Sequence, residues 1–208
     1  MGIEITWLNH ASFRLAGTRV VYIDPWKLSD APADGDVVFV SHAHFDHCSP
    51  EDVAKVRGAD GVVVAPADAL EQLGGGQTLR PGQELQVNGV KLTGVPAYNI
   101  GKSYHPKSNN WLGVVVELDG VRVYYAGDTD RIPEMAELKD VDVALLPVGG
   151  TYTMDAGEAA GAAGDIGAKA AIPYHYGEVV GSAEDAKKFA AAASCTVHVL
   201  SPGGKVSI

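Results

Sequence analysis

At the start of the chain, hydrophobic and polar positions alternate, or the hydrophobic ones run together in blocks too short for a helix. Residues 3–8, 12–16 and 19–23 follow this pattern and are separated by the turn formers Asn9-His10 and Gly17-Thr18. That spacing predicts a β-meander closed by Asp24-Pro25-Trp26. Val37, Val38, Phe39 and Val40 form an unbroken β-branched and aromatic run, the pattern of a short buried strand. Helical signals then begin to intervene. Ser49 as N-cap, Pro50 at the first helical position and Glu51-Asp52 in the first turn predict a helix to about Arg57, stopped by Gly58. Residues 61–65 read as a strand and 66–73 as a short helix. Gly74-Gly75-Gly76 reads as a connector, since no Gly-Lys-Ser/Thr continuation makes it a phosphate cradle. Asn88-Gly89 marks a hairpin between 85–87 and 90–95, and Asp119-Gly120 another between 111–118 and 121–126. Beyond them the pattern predicts a short helix (131–138), a buried strand (141–148), an Ala-rich helix (155–166), a strand (169–174) and a capped amphipathic helix (182–193). A closing strand (196–200) contains His198 in a structural role. Strands dominate the first half and helices recur between later strands, so the expected fold class is α/β, with two mixed sheets packed face to face and helices outside.

The polar exceptions to this pattern gather where strands end. His42, His44, Asp46 and His47 follow directly on the 37–40 run. Three imidazoles and a carboxylate are costly in a core unless each finds a partner, and a bound divalent cation satisfies them together. The alternative is a His-rich surface loop with incidental metal affinity, which the position directly behind an apolar strand disfavours. In an extended segment His42, His44 and Asp46 would share one face, with His47 turned across by a bend after Phe45, so that one segment serves two adjacent ions. Imidazole and carboxylate without thiolate suit zinc, manganese or iron in an open site. Asp128 and His175 also stand at predicted strand ends, as do His10 and Asp24, where a turn residue is the ordinary occupant. Residues 96–110 have little periodicity and many polar groups, which predicts an active-site loop carrying Asn99, Tyr104, His105 and Asn109. Trp26, Tyr104, Asn109, Trp111 and Tyr152 are the candidate pocket residues.

Composition narrows the class. A chain of 208 residues, 46% hydrophobic and 20% charged, fits one globular domain over residues 1–208. No apolar run approaches the roughly 20 residues of a membrane helix, and the opening Ile3-Glu4-Ile5-Thr6-Trp7 has no signal-like segment before it, so a cytoplasmic location without membrane contact is expected. Cys48 and Cys195 cannot build a disulfide framework; Cys48 is expected as a small apolar filler beside the site. A net charge of −10 disfavours nucleic acid as a partner but leaves an anionic small molecule open, because bound dications dominate the field near them.

His42-Ala43-His44-Phe45-Asp46-His47 resembles the His-x-His-x-Asp-His signature of the metallo-β-lactamase superfamily, and Ala126-Gly127-Asp128-Thr129 resembles its later motif with a metal-bridging Asp. The likeness spans nearly the whole chain. The segments Leu8-Asn9-His10-Ala11-Ser12-Phe13 and Ile23-Asp24-Pro25 are most similar to the uncharacterised metal-dependent hydrolases of that superfamily. The resemblance implies a four-layer αββα sandwich with the site along the edge where the sheets open. It implies one ion on His42, His44 and His105, another on Asp46, His47 and His175, Asp128 between them, and Asp24 behind the ligands as acceptor for an imidazole N–H. One departure stands out: many relatives carry a His where this chain has Asn99, and His105 is the remaining histidine of that region. It is expected as the substitute ligand, with a substrate contact as its other role. The implied activity is hydrolysis of a small ester, lactone, amide or phosphodiester by a metal-activated hydroxide. It would use two divalent ions, zinc first with manganese or iron as alternatives, and Asp46 and Asp128 as the carboxylates of the reaction. Other readings are a dedicated small-molecule phosphodiesterase and a noncatalytic metal-binding regulator. Di-iron redox relatives usually carry Glu at the position of His44, which speaks against that chemistry.

Overall fold

The computed structural model describes residues 2–208. The opening meander forms as β1 (Glu4–Asn9), β2 (Ser12–Ala16) and β3 (Val20–Ile23), antiparallel throughout. β4 (Gly35–Phe39) and β5 (Arg57–Ala65) add in parallel, which requires the crossover helix α1 (Pro50–Val56) between them, and α2 (Ala67–Leu73) leads to the edge strand β6 (Gln77–Thr78). The second sheet repeats this plan. β7 (Glu84–Val87), β8 (Val90–Pro96), β9 (Leu112–Leu118) and β10 (Val121–Tyr125) are antiparallel. β11 (Val143–Pro147), β12 (Ala170–Tyr174) and β13 (Thr196–Val197) continue in parallel, with α3 (Ala156–Ile166) and α4 (Ala183–Ala192) as crossovers. β14 (Lys205–Ser207) returns to the first sheet beside β1. The sheet orders are β14-β1-β2-β3-β4-β5-β6 and β13-β12-β11-β10-β9-β8-β7.

The unbroken run in β4 has a layered cause. Val37 and Phe39 face the core between the sheets, while Val38 and Val40 face outward onto Val53 and Val56 of α1 and Ala69 and Leu70 of α2. A strand covered on both faces has no polar side to alternate with. Burying each of these side chains contributes about 1.5–3 kcal/mol. On the second sheet α3 presents Ala159, Ala162, Ala163 and Ile166, side chains short enough for a close approach to β11. A capping box starts α3: Glu158 N donates to the Asp155 carboxylate at 2.8 Å and Asp155 N to the Glu158 carboxylate at 2.9 Å. The two hairpins take positive φ at both central residues, 48° and 82° at Asn88-Gly89 and 52° and 81° at Asp119-Gly120.

Several elements differ from the sequence expectation. β5 starts at Arg57, directly from the end of α1. Residues 131–138 contain only a 3-10 turn, Pro133–Glu137. The closing strand stops at Val197, leaving His198 half-buried beyond it with its N–H donating to Ala171 O at 2.9 Å. Pro202, Gly203 and Gly204 then turn the chain toward the other sheet, where Val206 and Ile208 pack on the core. No helix among the described residues is long and apolar enough to cross a membrane. Asp24, Ser41, Asp128 and His175 all lie just past the C-terminal ends of the parallel strands β3, β4, β10 and β12, the edge where open α/β sheets bind ligands.

Candidate metal centre

The segment after β4 turns rather than staying extended. Ser41 N–H leaves the ladder to donate to Asp24 Oδ1 at 2.7 Å, and His47 N and Cys48 N both donate to His44 O, at 3.1 and 2.8 Å. His42, His44 and Asp46 therefore do not share a face as the alternation predicted. The turn sends His42 and His44 to one group and Asp46 and His47 to another.

In the first group His42 Nε2 and His105 Nε2 stand 3.1 and 3.2 Å from His44 Nδ1. With tautomers assigned from their partners, His42 Nδ1–H donates to Ser41 Oγ at 2.9 Å and His105 Nδ1–H to Tyr152 O at 3.2 Å. Both Nε2 atoms are left as lone pairs pointing at one spot. Burial pushes the His42, His44 and His105 pKa values down, those of His42 furthest, so protons do not occupy that spot near neutrality. Tetrahedral zinc with bonds of ~2.0–2.1 Å separates its nitrogen ligands by about 3.3 Å, close to the spacing of this triangle. The indole of Trp111 packs against His42, His44 and His105 and donates from Nε1 to Asp68 at 2.6 Å, so it walls the triangle in.

The second group holds His10, Asp46, His47 and His175. His10 Nε2–H donates to Asp46 Oδ2 at 3.2 Å, which spends the nitrogen nearest the centre on orienting a carboxylate. The Nε2 atoms of His47 and His175 are buried without a hydrogen bond and each lies 3.8 Å from Asp46 Oδ2. Asp128 stands between the groups. Its Oδ2 is 3.3 Å from His105 Nε2 and 3.2 Å from His175 Nε2, and its Oδ1 is 3.3 Å from His47 Nε2. Burial pushes the Asp128 carboxyl up, but the His175 and His47 imidazoles outweigh it and hold it well below the usual range. For His47, burial is likewise outweighed, by Asp128 and then Asp24, and its pKa is well raised. Asp46 falls to about 2, its burial countered by the His10 hydrogen bond and by His47. Imidazole nitrogens and carboxylates that converge here fit divalent cations, which would take the place of the proton that Asp128 and Asp24 hold on His47.

Asp24 lies behind this centre. Its carboxylate accepts from Ser41 N, from Ser41 Oγ at 2.5 Å, from His47 Nδ1 at 2.7 Å and from Tyr125 OH at 2.6 Å. With its oxygens so occupied it fixes the His47 tautomer and leaves Nε2 free. His10, Asp24, His105 and His175 all adopt left-handed backbone, with φ of 36°, 42°, 52° and 61°. Each such residue costs on the order of 1–3 kcal/mol and persists where its surroundings over-determine it. At His10 they do: its carbonyl accepts from Trp7 Nε1 at 2.9 Å and from His175 N at 3.0 Å.

Asn99, the departure from the expected histidine, is buried and braces the loop: its N–H donates to His105 O at 2.9 Å and its Nδ2 to Tyr152 O at 2.7 Å. Tyr104 and Tyr152 pack edge to face at 4.8 Å over the centre, and Trp26 packs on His10 and Phe45. Asn109 is not brought to the centre; it sits exposed in the 3-10 turn Lys107–Asn109, lining a separate cleft with Pro66 and Arg80. Its loop folds outward after His105. Cys48 is buried among Val38, Val40 and Val53, its thiol pushed by burial to about 11. Sequence reasoning passed over Ser41 and Tyr125, although Ser41 adjoins His42 and Tyr125 ends β10 three residues before Asp128. It also passed over Phe45 and Val179, which line the cavity above the centre.

An αββα sandwich with imidazoles and carboxylates at the open sheet edge defines a metallohydrolase of the metallo-β-lactamase type. Residues 4–175 match the model of the β-lactamase superfamily domain, and the chain belongs to that family. It is 37% identical to a UPF0173 metal-dependent hydrolase from Methanosphaerula palustris, over 99% of this chain and 100% of that protein. Among solved structures it is similar to a protein from Parabacteroides distasonis (TM-score 0.83, 32% identity, 95% of this chain and 92% of the other). It is also similar to Igni18, a metallo hydrolase from Ignicoccus hospitalis (TM-score 0.80, 26% identity, 100% and 99%). The chain is a metal-dependent hydrolase of this superfamily.

Proposed function

We propose that the protein hydrolyses a small ester, lactone, amide or phosphodiester at a dinuclear centre, zinc in the first instance. His42, His44 and His105 would hold one ion, Asp46, His47 and His175 the other, with Asp128 shared. The observation that carries this reading is the position of Asp128, within 3.2–3.3 Å of imidazole nitrogens from both groups. Divalent ions bound there supply an acidified water and polarise the scissile carbonyl or phosphoryl oxygen. The chain's own groups do the rest. Asp46 stays ionised across the neutral range and, held by His10, offers an oriented acceptor for a water O–H at the cavity floor. Asp24 and Ser41 lock the tautomers of His47 and His42, and the Asn99–Tyr152–His105 bonds fix the loop that brings His105 in.

Metal stoichiometry with anomalous scattering, together with turnover of ester and phosphodiester reporters, tests the reading. The unaltered protein is expected to hold two ions per chain and His105→Ala one or none, with turnover lost on chelation and restored by metal. Two ions retained in His105→Ala would remove His105 from the ligand set; full loading without turnover of any reporter would overturn the hydrolytic reading.

A further inference from the structure

The mouth of the site has a chemistry of its own. A cavity of about 240 Å³ opens over the centre, floored by His44, Asp46, His105, Asp128 and His175 and walled by Phe45, Tyr104, Tyr152 and Val179. Phe45, Tyr104 and Val179 are 69%, 46% and 41% exposed, and they are three of the five large hydrophobic side chains that stand exposed among the described residues. Apolar groups held in water around one opening mark a place where something apolar docks. The volume lies below the roughly 300–1,000 Å³ of pockets for drug-sized ligands, so the occupant is small.

Charge is distributed in the opposite sense. No Lys or Arg lines the cavity. Cationic side chains on the surrounding loops are engaged elsewhere: Lys27 with Glu178 at 2.9 Å, Lys102 with Asp130 and Thr153 O, Lys107 with Glu134 at 2.8 Å, and Arg131 with Asp165 at 2.6 Å. Where metal ions do not themselves carry the anion, sites built for phosphate or carboxylate groups present Arg forks, Lys or the N–H groups of a helix start. Inside, the three buried carboxylates Asp24, Asp46 and Asp128 offset most of the charge that two dications would bring.

We propose, resting on the hydrolytic reading above, that the substrate is an uncharged carbonyl compound, an ester, lactone or amide, bearing a short apolar substituent that seats against Phe45, Val179 and the Tyr104–Tyr152 pair. Uncharged, non-hydrolysable ketones of increasing length (2-butanone, 2-pentanone, 2-hexanone) probe this surface directly, by titration of the metal-loaded protein followed in amide NMR shifts. Affinity is expected to rise about fourfold per methylene until the cavity is full. Phe45→Ser and Val179→Ser should each flatten that slope, with their folds checked by the same spectra. A flat dependence on chain length, or a slope that survives both substitutions, overturns the proposal. Reporter turnover separates the two levels. A phosphodiester hydrolysed while esters, lactones and amides are not would overturn the carbonyl assignment and leave the hydrolytic reading standing. Ketones that bind as expected while no reporter is turned over would uphold apolar recognition and sink hydrolysis.

Discussion

Replacing Asp24 with Asn changes one oxygen to an NH₂ and removes one charge, with almost no change in shape. Four donors converge on this fully buried carboxylate: Ser41 N, Ser41 Oγ, His47 Nδ1 and Tyr125 OH. An amide oxygen has two lone pairs, so at most two of those donors keep a partner, and the new NH₂ must face the others. Breaking a buried charged pair costs about 3–5 kcal/mol. With a urea m-value near 2 kcal/mol/M, the unfolding midpoint of the metal-free protein should fall by roughly 1.5–2.5 M. Total stabilities are typically about 5–15 kcal/mol, so the variant should remain folded at low urea. The second consequence concerns metal. His47 loses the acceptor that fixes its tautomer and ring angle, and substitutions of that kind lower affinity by about 10–100-fold. Competition with a chromophoric chelator at neutral pH reads this directly. An Asp24→Asn protein with lowered stability but unchanged metal affinity would show that Asp24 serves only the core, and would refute its orienting role.

Two further expectations follow from the same geometry. Lowering the pH from 7 to 5 should lower the melting temperature of the metal-free protein. Burial depresses the pKa values of His10, His42, His44 and His105 below 6.5, so their contribution is complete above 6.5 and is lost as the pH falls beneath it. The raised His47 acts in the reverse sense, its contribution being complete below 6.5 and lost as the pH climbs through its folded value, but it is one group against four. Asp46 and Asp128, both depressed, matter only below about 3.8, outside this window. Calorimetry across the range checks it, and a flat or rising melting temperature would contradict the assigned environments. Gly127→Ala should destabilise the protein by about 1–3 kcal/mol and weaken metal binding. Gly127 has φ 69°, and a Cβ there would stand 2.6 Å from Leu112 O, displacing the segment that carries Asp128; unfolding curves and chelator competition that match the unaltered protein would show that the turn has slack.

What could be read from the chain divides along a physical line. Hydrophobic period reports which faces are covered, so β4, the two hairpins and α3 were legible, as were the strand ends at which His42, Asp128 and His175 emerge. Period says little where a segment is short or is paired by a distant part of the chain. β14 has three residues and takes its identity from β1, nearly the whole chain away, and β6 has two. A bend after Phe45 was expected, but the shared face of His42, His44 and Asp46 was misread for a related reason. The extended ladder already ends at Ser41, whose N–H goes to Asp24, a partner 17 residues earlier that no local pattern announces. Asn109 was misplaced because polarity marks a loop without saying where along it the chain turns away.

The residues proposed as ligands stand out in the sequence more readily than the frame behind them, and the make-up of that frame explains why. Imidazoles and carboxylates are rare in cores, so several at strand ends stand out by type alone. The frame is built from ordinary residues: a serine, two tyrosines, an asparagine and backbone carbonyls. Ser41, Tyr125 and Asn99 have countless roles elsewhere, and each becomes significant only through one distance, to the His42 ring nitrogen, to the Asp24 carboxylate or to the Tyr152 carbonyl that His105 also meets. His10 shows the same limit from the other side. By type and place it groups with Asp46, His47 and His175, yet its Nε2 lies 3.2 Å from Asp46 Oδ2, a contact that suits it to aiming a carboxylate rather than to binding an ion. Residue type proposes membership in such a centre, and the direction of one proton assigns the role.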